Sequence, residues 1–280
     1  MASLTISTPR NTRVTAARRL AKRAFRTRAR RFLAEGPQAV REALAGVEGS
    51  TVVRELFATA EARARYPEFD AAAAARGVAV QEVTEPVLAA LAQTVTPQGV
   101  VAVCDFVDVD VDALLAAAGS RQPRMLAVLA QVRDPGNAGT VIRCADAAGA
   151  AGVVVSEASV DVYNPKTVRS SAGSLFHLPV SVGVDLPSAL AAIRTAGYVV
   201  LAADGGVPDA VDLDAADRSG LLTGPIAWLF GNEAWGLPGQ LRALADHMVA
   251  VPIHGRAESL NLATAAAVCL YATATAQRRG

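Results

Sequence analysis

Apolar and polar positions fall in blocks along the chain, short apolar runs separated by amphipathic stretches. Val52–Phe57, Val78–Val83 and Val100–Cys104 read as strands, with helices over Ala58–Arg65, Ala71–Arg76 and Glu85–Ala92. Ahead of them, the stretch from Thr15 to Arg31, with Val14, Leu20 and Phe25 among its arginines, predicts one helix. Phe32-Leu33-Ala34 predicts a short strand, and Gly36-Pro37 opens a helix through Val40 and Leu44.

The second half repeats the alternation with more continuous apolar runs. Strands are expected at Met125–Ala130, Gly152–Val155, Val180–Val182, Tyr198–Ala202, Ile226–Phe230 and Met248–Ile253. Between them lie a polar loop Gln131–Gly139 with a helix Thr140–Ala148, a loop and helix around Asn164–Ser171, and helices Leu186–Ala196 and Pro238–Ala245; Leu260–Gln277 closes the chain as a long helix. Strands alternating with helices mean an α/β fold. Strands apolar at nearly every position are buried on both faces, hence a Rossmann-like, mostly parallel sheet, whose ligands bind outside the carboxyl ends of its strands. The expected division is a basic arm or helix at 1–31, a small α/β domain at 32–105, a linker at 106–123 and a larger domain at 124–280.

Composition narrows the class. With 52% hydrophobic and 19% charged residues among 280, the chain is neither disordered nor collagen-like. It has no uninterrupted apolar run of the roughly 18–20 residues that a membrane span needs, so a soluble protein with no membrane partner is expected.

The net charge of +1 hides an asymmetry: ten of the 27 bases lie in residues 1–31, which hold no acid, and the other 17 face all 26 acids, a net −9. Such a segment suits a polyanion, because each neutralised phosphate releases counterions. Arg18, Arg19, Arg23, Arg26 and Arg30 are the candidate phosphate contacts. A merely solvated helix and an organelle transit peptide explain the same composition. No secretory apolar core is present, and a cytoplasmic protein with reduced thiols is expected, since Cys104, Cys144 and Cys269 are odd in number and far apart. With three histidines, no HExxH and no CxxC, no metal site is expected.

Three loops concentrate polar residues at strand ends. Arg133-Asp134-Pro135-Gly136-Asn137-Ala138-Gly139 precedes a helix that carries Arg143 about one turn in. Helix caps at Asp134 or Asn137 with a surface arginine account for that loop equally well. Gly231-Asn232-Glu233 follows the apolar run Ile226–Phe230, where a carboxylate must cap a helix or meet an arginine. In Val251–Leu262, Ser259 is the candidate cap, and Asn261 is a poor helix former with an amide to satisfy.

Taken together, NAGTVIRCADAAG, LFGNEAWGLP and VPIHGRAESLNLATAAAVCLY resemble the SpoU/TrmH branch of the SPOUT RNA methyltransferases over roughly residues 125–277. RRFLAEGPQAVREAL and TPQGVVAV resemble the small α/β RNA-binding domain that precedes many members. The resemblance implies a carboxyl-terminal trefoil knot, a homodimer, and S-adenosylmethionine as the cofactor. The implied reaction is methyl transfer to a ribose 2′-hydroxyl of a structured RNA, with 23S-type ribosomal RNA ahead of transfer RNA.

Carried over by position, Asn137, Arg143, Glu233, Ser259 and Asn261 are the implied catalytic set. Gly231, Val251, Ile253, Leu260 and Ala202 are the implied cofactor positions, and Arg169 is an implied RNA contact. The identity of the general base stays open, because a guanidinium is normally always protonated. Two other classes stay open: an RNA-binding module with an inactive transferase domain, and an unrelated Rossmann-like nucleotide enzyme. The absence of GxGxxG, GxxxxGK[ST] and GxSxG counts against the second.

Overall fold

The computed structural model describes residues 5–46, 51–119, 124–232 and 235–279. The chain divides into two compact units. One comprises Met1–Val107 with Asp161–His177, and the other Asp108–Val160 with Leu178–Gly280.

The first unit begins with α1 (Thr12–Arg19), whose amino end is capped by Asn11 accepting from the Arg13 N–H, and α2 (Arg23–Ala29). These are two helices rather than the single one expected, and they are not a free arm. Val14, Ala17 and Leu20 are buried in a core with Leu33, Phe57, Val87, Leu91 and Val101. Arg30 takes a left-handed conformation (φ 52°), turning the chain into β1 (Arg31–Glu35).

There follow α3 (Pro37–Ala45), β2 (Val53–Ala58), α4 (Ala60–Arg65), α5 (Pro67–Ala75), β3 (Ala79–Glu82), α6 (Glu85–Leu91) and β4 (Val100–Asp105). The sheet order is β1-β4-β2-β3, with β4 antiparallel to both neighbours and β3 parallel to β2. The strand and helix alternation was legible from the apolar runs, with boundaries displaced by one to a few residues.

The second unit opens with α7 (Val111–Ala118), inside the stretch expected to be a linker. Asp110 caps it, and Leu114 and Ala118 are fully buried against the larger sheet, so this segment is structural rather than connecting. Residues 120–123 of the expected linker lie outside the described residues.

Next come β5 (Met125–Leu129), α8 (Pro135–Ala148) and β6 (Gly152–Ser156). The chain then returns to the first unit for α9 (Pro165–Ser170), a break in contiguity that nothing in the sequence pattern announced. It re-enters the second unit as β7 (Val180–Val184), α10 (Leu186–Thr195), β8 (Val199–Ala203), β9 (Val211–Asp212), α11 (Leu213–Arg218), β10 (Ile226–Phe230), α12 (Gly239–Arg242), β11 (His247–Ala250) and α13 (Leu262–Arg279).

All seven strands are parallel, in the order β7-β6-β5-β10-β8-β11-β9. Every residue of β5, β6 and β10 is buried, as two covered faces require. Ala227 and Leu229 pack on one face with Leu114 of α7 and Leu190 of α10. On the other, the Trp228 indole N–H donates to Thr273 Oγ1 of α13 at 2.9 Å, so the buried ring keeps its polar atom satisfied. Strand order reverses beside β5: β6 and β7 lie to one side, and the later strands to the other. In such sheets that reversal is where ligands are received.

The segment returned to the first unit is fixed there by charge and by rings. The Arg26 side chain, 3% exposed, donates to Asp161 Oδ2 at 2.6 Å and to the carbonyls of Leu20 and Ala21 at 2.9 and 2.8 Å. Phe106 stacks on Tyr163 with ring centroids 3.7 Å apart, and Phe32 meets Tyr163 and Phe176.

Candidate functional site

The carboxyl ends of β8, β10 and β11 enclose a cavity of about 550 Å³, lined in part by Asp204, Gly231, Val251, Ile253, Ser259 and Leu260. That volume lies within the range of sites for a drug-sized ligand. Its walls come from three loops, those after Ala203, after Phe230 and after Ala250. Asp204 and Glu258 are the charged lining residues, and among the described lining residues there is no base.

Backbone approach is closest at Gly231. A Cβ there would stand 2.7 Å from the Gly236 carbonyl group and 2.8 Å from Leu237 Cγ. The turn is closed by reciprocal backbone hydrogen bonds between Asn232 and Gly236, 2.8 and 3.0 Å. Asn232 is buried, and its Nδ2 donates to the Gln131 carbonyl at 3.1 Å, tying the β10 loop to the end of β5.

Beside this wall, α8 starts at Pro135 and not at Thr140 as expected. The glycines suggested a loop, but Pro135 is preset for a first helical position and Asp134 accepts the Asn137 N–H at 2.8 Å. Asn137 therefore sits in the first turn. Its Oδ1 accepts from Asn261 Nδ2 at 3.1 Å, while Asn261 Oδ1 accepts from the Ala263 N–H at 2.9 Å. Asn261, not Ser259, holds the first turn of α13, and the Asn261 amide that the sequence left to be satisfied bridges two helix starts.

Arg143 follows on the exposed stripe of α8 and makes no ion pair or hydrogen bond among the described residues. Burial raises the Cys144 thiol pKa, an effect that Arg143 partly offsets, so this thiol stays protonated at neutral pH.

Four of the five expected cofactor positions line the cavity: Gly231, Val251, Ile253 and Leu260. Ala202 does not. It is fully buried in the sheet, in register with Leu229 and Met248, and the next residue, Ala203, reaches the wall. Among the expected catalytic residues, Ser259 is in the lining, Asn137 and Asn261 are bonded to each other, and Glu233 lies outside the described residues.

Of the expected RNA contacts, Arg18, Arg19, Arg23 and Arg30 are exposed; Arg26 is removed from the surface by its bonds to Asp161. Arg169 belongs to the first unit, where Nη1 stands 3.6 Å from the buried carboxylate of Glu35.

Sequence reasoning missed Asp204 and Asn232. Each is a polar residue directly after, or one residue beyond, a buried strand, which is the signal that would have found them.

The SpoU rRNA Methylase family matches residues 124–271. The chain belongs to this family. An MRM3-like substrate binding domain matches residues 11–102, within the first unit. Over 197 residues the chain is 36% identical to the 23S rRNA (guanosine(2553)-2'-O)-methyltransferase RlmP of Bacillus subtilis, covering 70% of this chain and 72% of that protein. It is 44% identical over 141 residues to the 23S rRNA (uridine(2479)-2'-O)-methyltransferase of Streptomyces viridochromogenes, a match that covers 49% of this chain and 47% of that relative. Among solved structures, the AdoMet-bound rRNA methyltransferase from Sinorhizobium meliloti aligns with a TM-score of 0.82 at 30% identity, over 99% of this chain and 98% of that one. As a SpoU family member, the chain has the α/β architecture expected for it, a small amino-terminal domain and a parallel carboxyl-terminal sheet.

Proposed function

We propose that this SpoU family member transfers a methyl group from S-adenosylmethionine to a ribose 2′-hydroxyl of ribosomal RNA, the 23S-type molecule being the substrate. The observation that carries the cofactor assignment is the cavity at the ends of β8, β10 and β11, whose lining has acids and no base among the described residues. A cationic sulfonium with an adenosyl group suits such a lining, whereas a pyrophosphate-bearing dinucleotide does not. The cradle at Gly231 lets a ligand approach the backbone, and the buried Asp204 Oδ2 has no hydrogen-bond donor among the described residues. Both fit a bound cofactor.

When bound, S-adenosylmethionine supplies an electrophilic methyl group. The protein's part is alignment and exclusion of water. Val251, Ile253 and Leu260 provide apolar wall, and Ser259 positions the ribose. Arg143, exposed and without an ion-pair partner among the described residues, orients the attacking hydroxyl and stabilises the negative charge that develops on its oxygen. Asn261 and Asn137 hold the starts of α13 and α8 together.

Exposed Arg18, Arg19, Arg23 and Arg30 contact RNA phosphates, and Arg169 adds a further contact from the same unit. The enzyme works as a cytoplasmic homodimer with a trefoil path at its carboxyl end. The exposed stripe of α13, on which Val268 is 39% and Tyr271 50% exposed, supports the dimer. Strand β10, inserted between the earlier β5 and β8, supports the trefoil path.

The test is transfer of labelled methyl from S-adenosylmethionine to unmodified ribosomal RNA and, separately, to bulk transfer RNA, followed by nucleoside analysis. Label in a 2′-O-methylated nucleoside of the ribosomal pool is expected. Label only in transfer RNA, or on a base, contradicts the reading.

A further inference from the structure

Asp204 marks the cavity as a ligand site, but no atom of the ligand has yet been matched to its carboxylate. It directly follows β8, and its backbone N–H donates to the Val249 carbonyl at 3.1 Å. Its Oδ1 accepts the Gly206 N–H at 3.0 Å. Oδ2, by contrast, is buried and accepts no hydrogen bond among the described residues, within a side chain only 12% exposed.

Arg242 Nε stands 3.3 Å from Oδ2, close enough to offset its charge. The Nε hydrogen is directed elsewhere, to the Leu237 carbonyl at 2.8 Å. Asp204 thus has a counter-charge and lacks a donor. A buried charged acceptor left in that state is costly, so the position is expected to be filled when the cavity is. The surroundings leave it open: Gly205, Gly206 and Gly236 line the cavity, and a Cβ on Gly236 would stand 3.7 Å from Oδ2.

We infer that Asp204 is a cofactor-binding residue whose Oδ2 accepts a hydrogen bond from a ribosyl hydroxyl of the adenosyl group. This rests on the cavity being the S-adenosylmethionine site. The cofactor offers three kinds of donor: its ammonium, its 6-amino group and its ribosyl hydroxyls. Arg242 Nε faces Oδ2 without donating to it, so what the carboxylate lacks is a hydrogen, which a neutral donor supplies as well as a cation does. A neutral hydroxyl supplies the missing hydrogen, and O–H to carboxylate bonds are among the stronger neutral-to-ion pairings. Acidic residues near strand ends of nucleotide-binding parallel sheets characteristically take ribosyl hydroxyls.

The test is calorimetric binding of S-adenosylhomocysteine to the full chain. Analogues lacking the 2′-hydroxyl, the 3′-hydroxyl or the 6-amino group, and 5′-methylthioadenosine, which lacks the amino-acid ammonium, are measured beside it. The wild type is expected to bind one deoxy analogue about 10–100-fold more weakly than the parent. Asp204→Ala should weaken the parent by a similar factor and bind that deoxy analogue no worse than the parent. Arg242→Gln, which removes the counter-charge and leaves the acceptor, should retain the discrimination. Should Asp204→Ala not fold by circular dichroism, Asp204→Asn serves, with partial loss of discrimination expected.

A purely structural Asp204 would weaken all ligands alike and keep the hydroxyl preference, overturning the assignment. So would discrimination that Asp204→Ala removes at the 6-amino group or the ammonium instead. Failure of the wild type to bind S-adenosylhomocysteine at all would overturn the cofactor reading itself.

Discussion

The two units of this chain handle polar groups in opposite ways. In the second, seven parallel strands are covered on both faces, and the polar side chains collect where the sheet ends, around one cavity. In the first, charge is spread over helices and strand ends, and much of it is paired: Arg13 with Glu55, Arg31 with Asp105, Arg63 with Asp70 and Glu82, Arg26 with Asp161. A parallel sheet has a chemically distinct end and gathers function there. A small mixed sheet has no such end, and its recognition surface is defined by which cations are left unpaired. For a site of the first kind the test is a single residue, and for a surface of the second it is a sum of small effects.

The largest effect is expected at Arg143. Because its side chain is exposed and without partners among the described residues, Arg143→Ala should leave folding and cofactor affinity unchanged while lowering single-turnover methyl transfer about 10²–10³-fold, the cost of losing one preorganised charge-stabilising donor. Unchanged turnover would remove the residue from the chemistry.

Arg26→Ala comes next and concerns the first unit alone. It leaves Asp161, 13% exposed, without its counter-charge and, among the described residues, with only the Tyr163 N–H donating to it, and chemical denaturation should show a loss of about 3 kcal/mol. A loss below 1 kcal/mol would mean that Arg26 is a surface residue after all. Asn261→Ala removes the cap of α13 and its bond to Asn137; a stability loss of about 1 kcal/mol is expected by the same measurement, with slower transfer at unchanged cofactor affinity.

The smallest effects are those of Arg18→Ala, Arg19→Ala and Arg23→Ala. Each should weaken RNA binding modestly and reduce the slope of log affinity against log salt by about one. An unchanged slope for all three would place the RNA elsewhere. Point substitutions are needed because deleting residues 1–31 would remove Val14, Ala17 and Leu20 from the core.

Strands were the most legible part of the sequence, since runs such as Met125–Leu129 and Ile226–Phe230 are apolar at every position for one physical reason, burial on both faces. Helix starts were less so: α8 hides behind Pro-Gly-Asn-Ala-Gly, and α7 lies in a stretch whose acids suggested a linker. The assignment of Asp161–His177 to the first unit was invisible, because contiguity along the chain is the only cue that composition offers.

At the site, motif position brought Gly231, Val251, Ile253 and Leu260 to one cavity but missed the wall by one residue at Ala202. It assigned the helix cap to Ser259, where Asn261 makes it. Nor could it show that Arg26, one arginine among ten bases, is buried, since that depends on Asp161, 135 residues away.

The division of labour between the units is tested most directly by photocrosslinking of S-adenosylmethionine and of ribosomal RNA to the full chain, with the modified peptides mapped. Cofactor adducts are expected within residues 203–206, 230–237 and 249–265, and RNA adducts are expected to include the exposed arginines of residues 18–30. Cofactor adducts in the first unit, or RNA adducts confined to the second, would contradict the account.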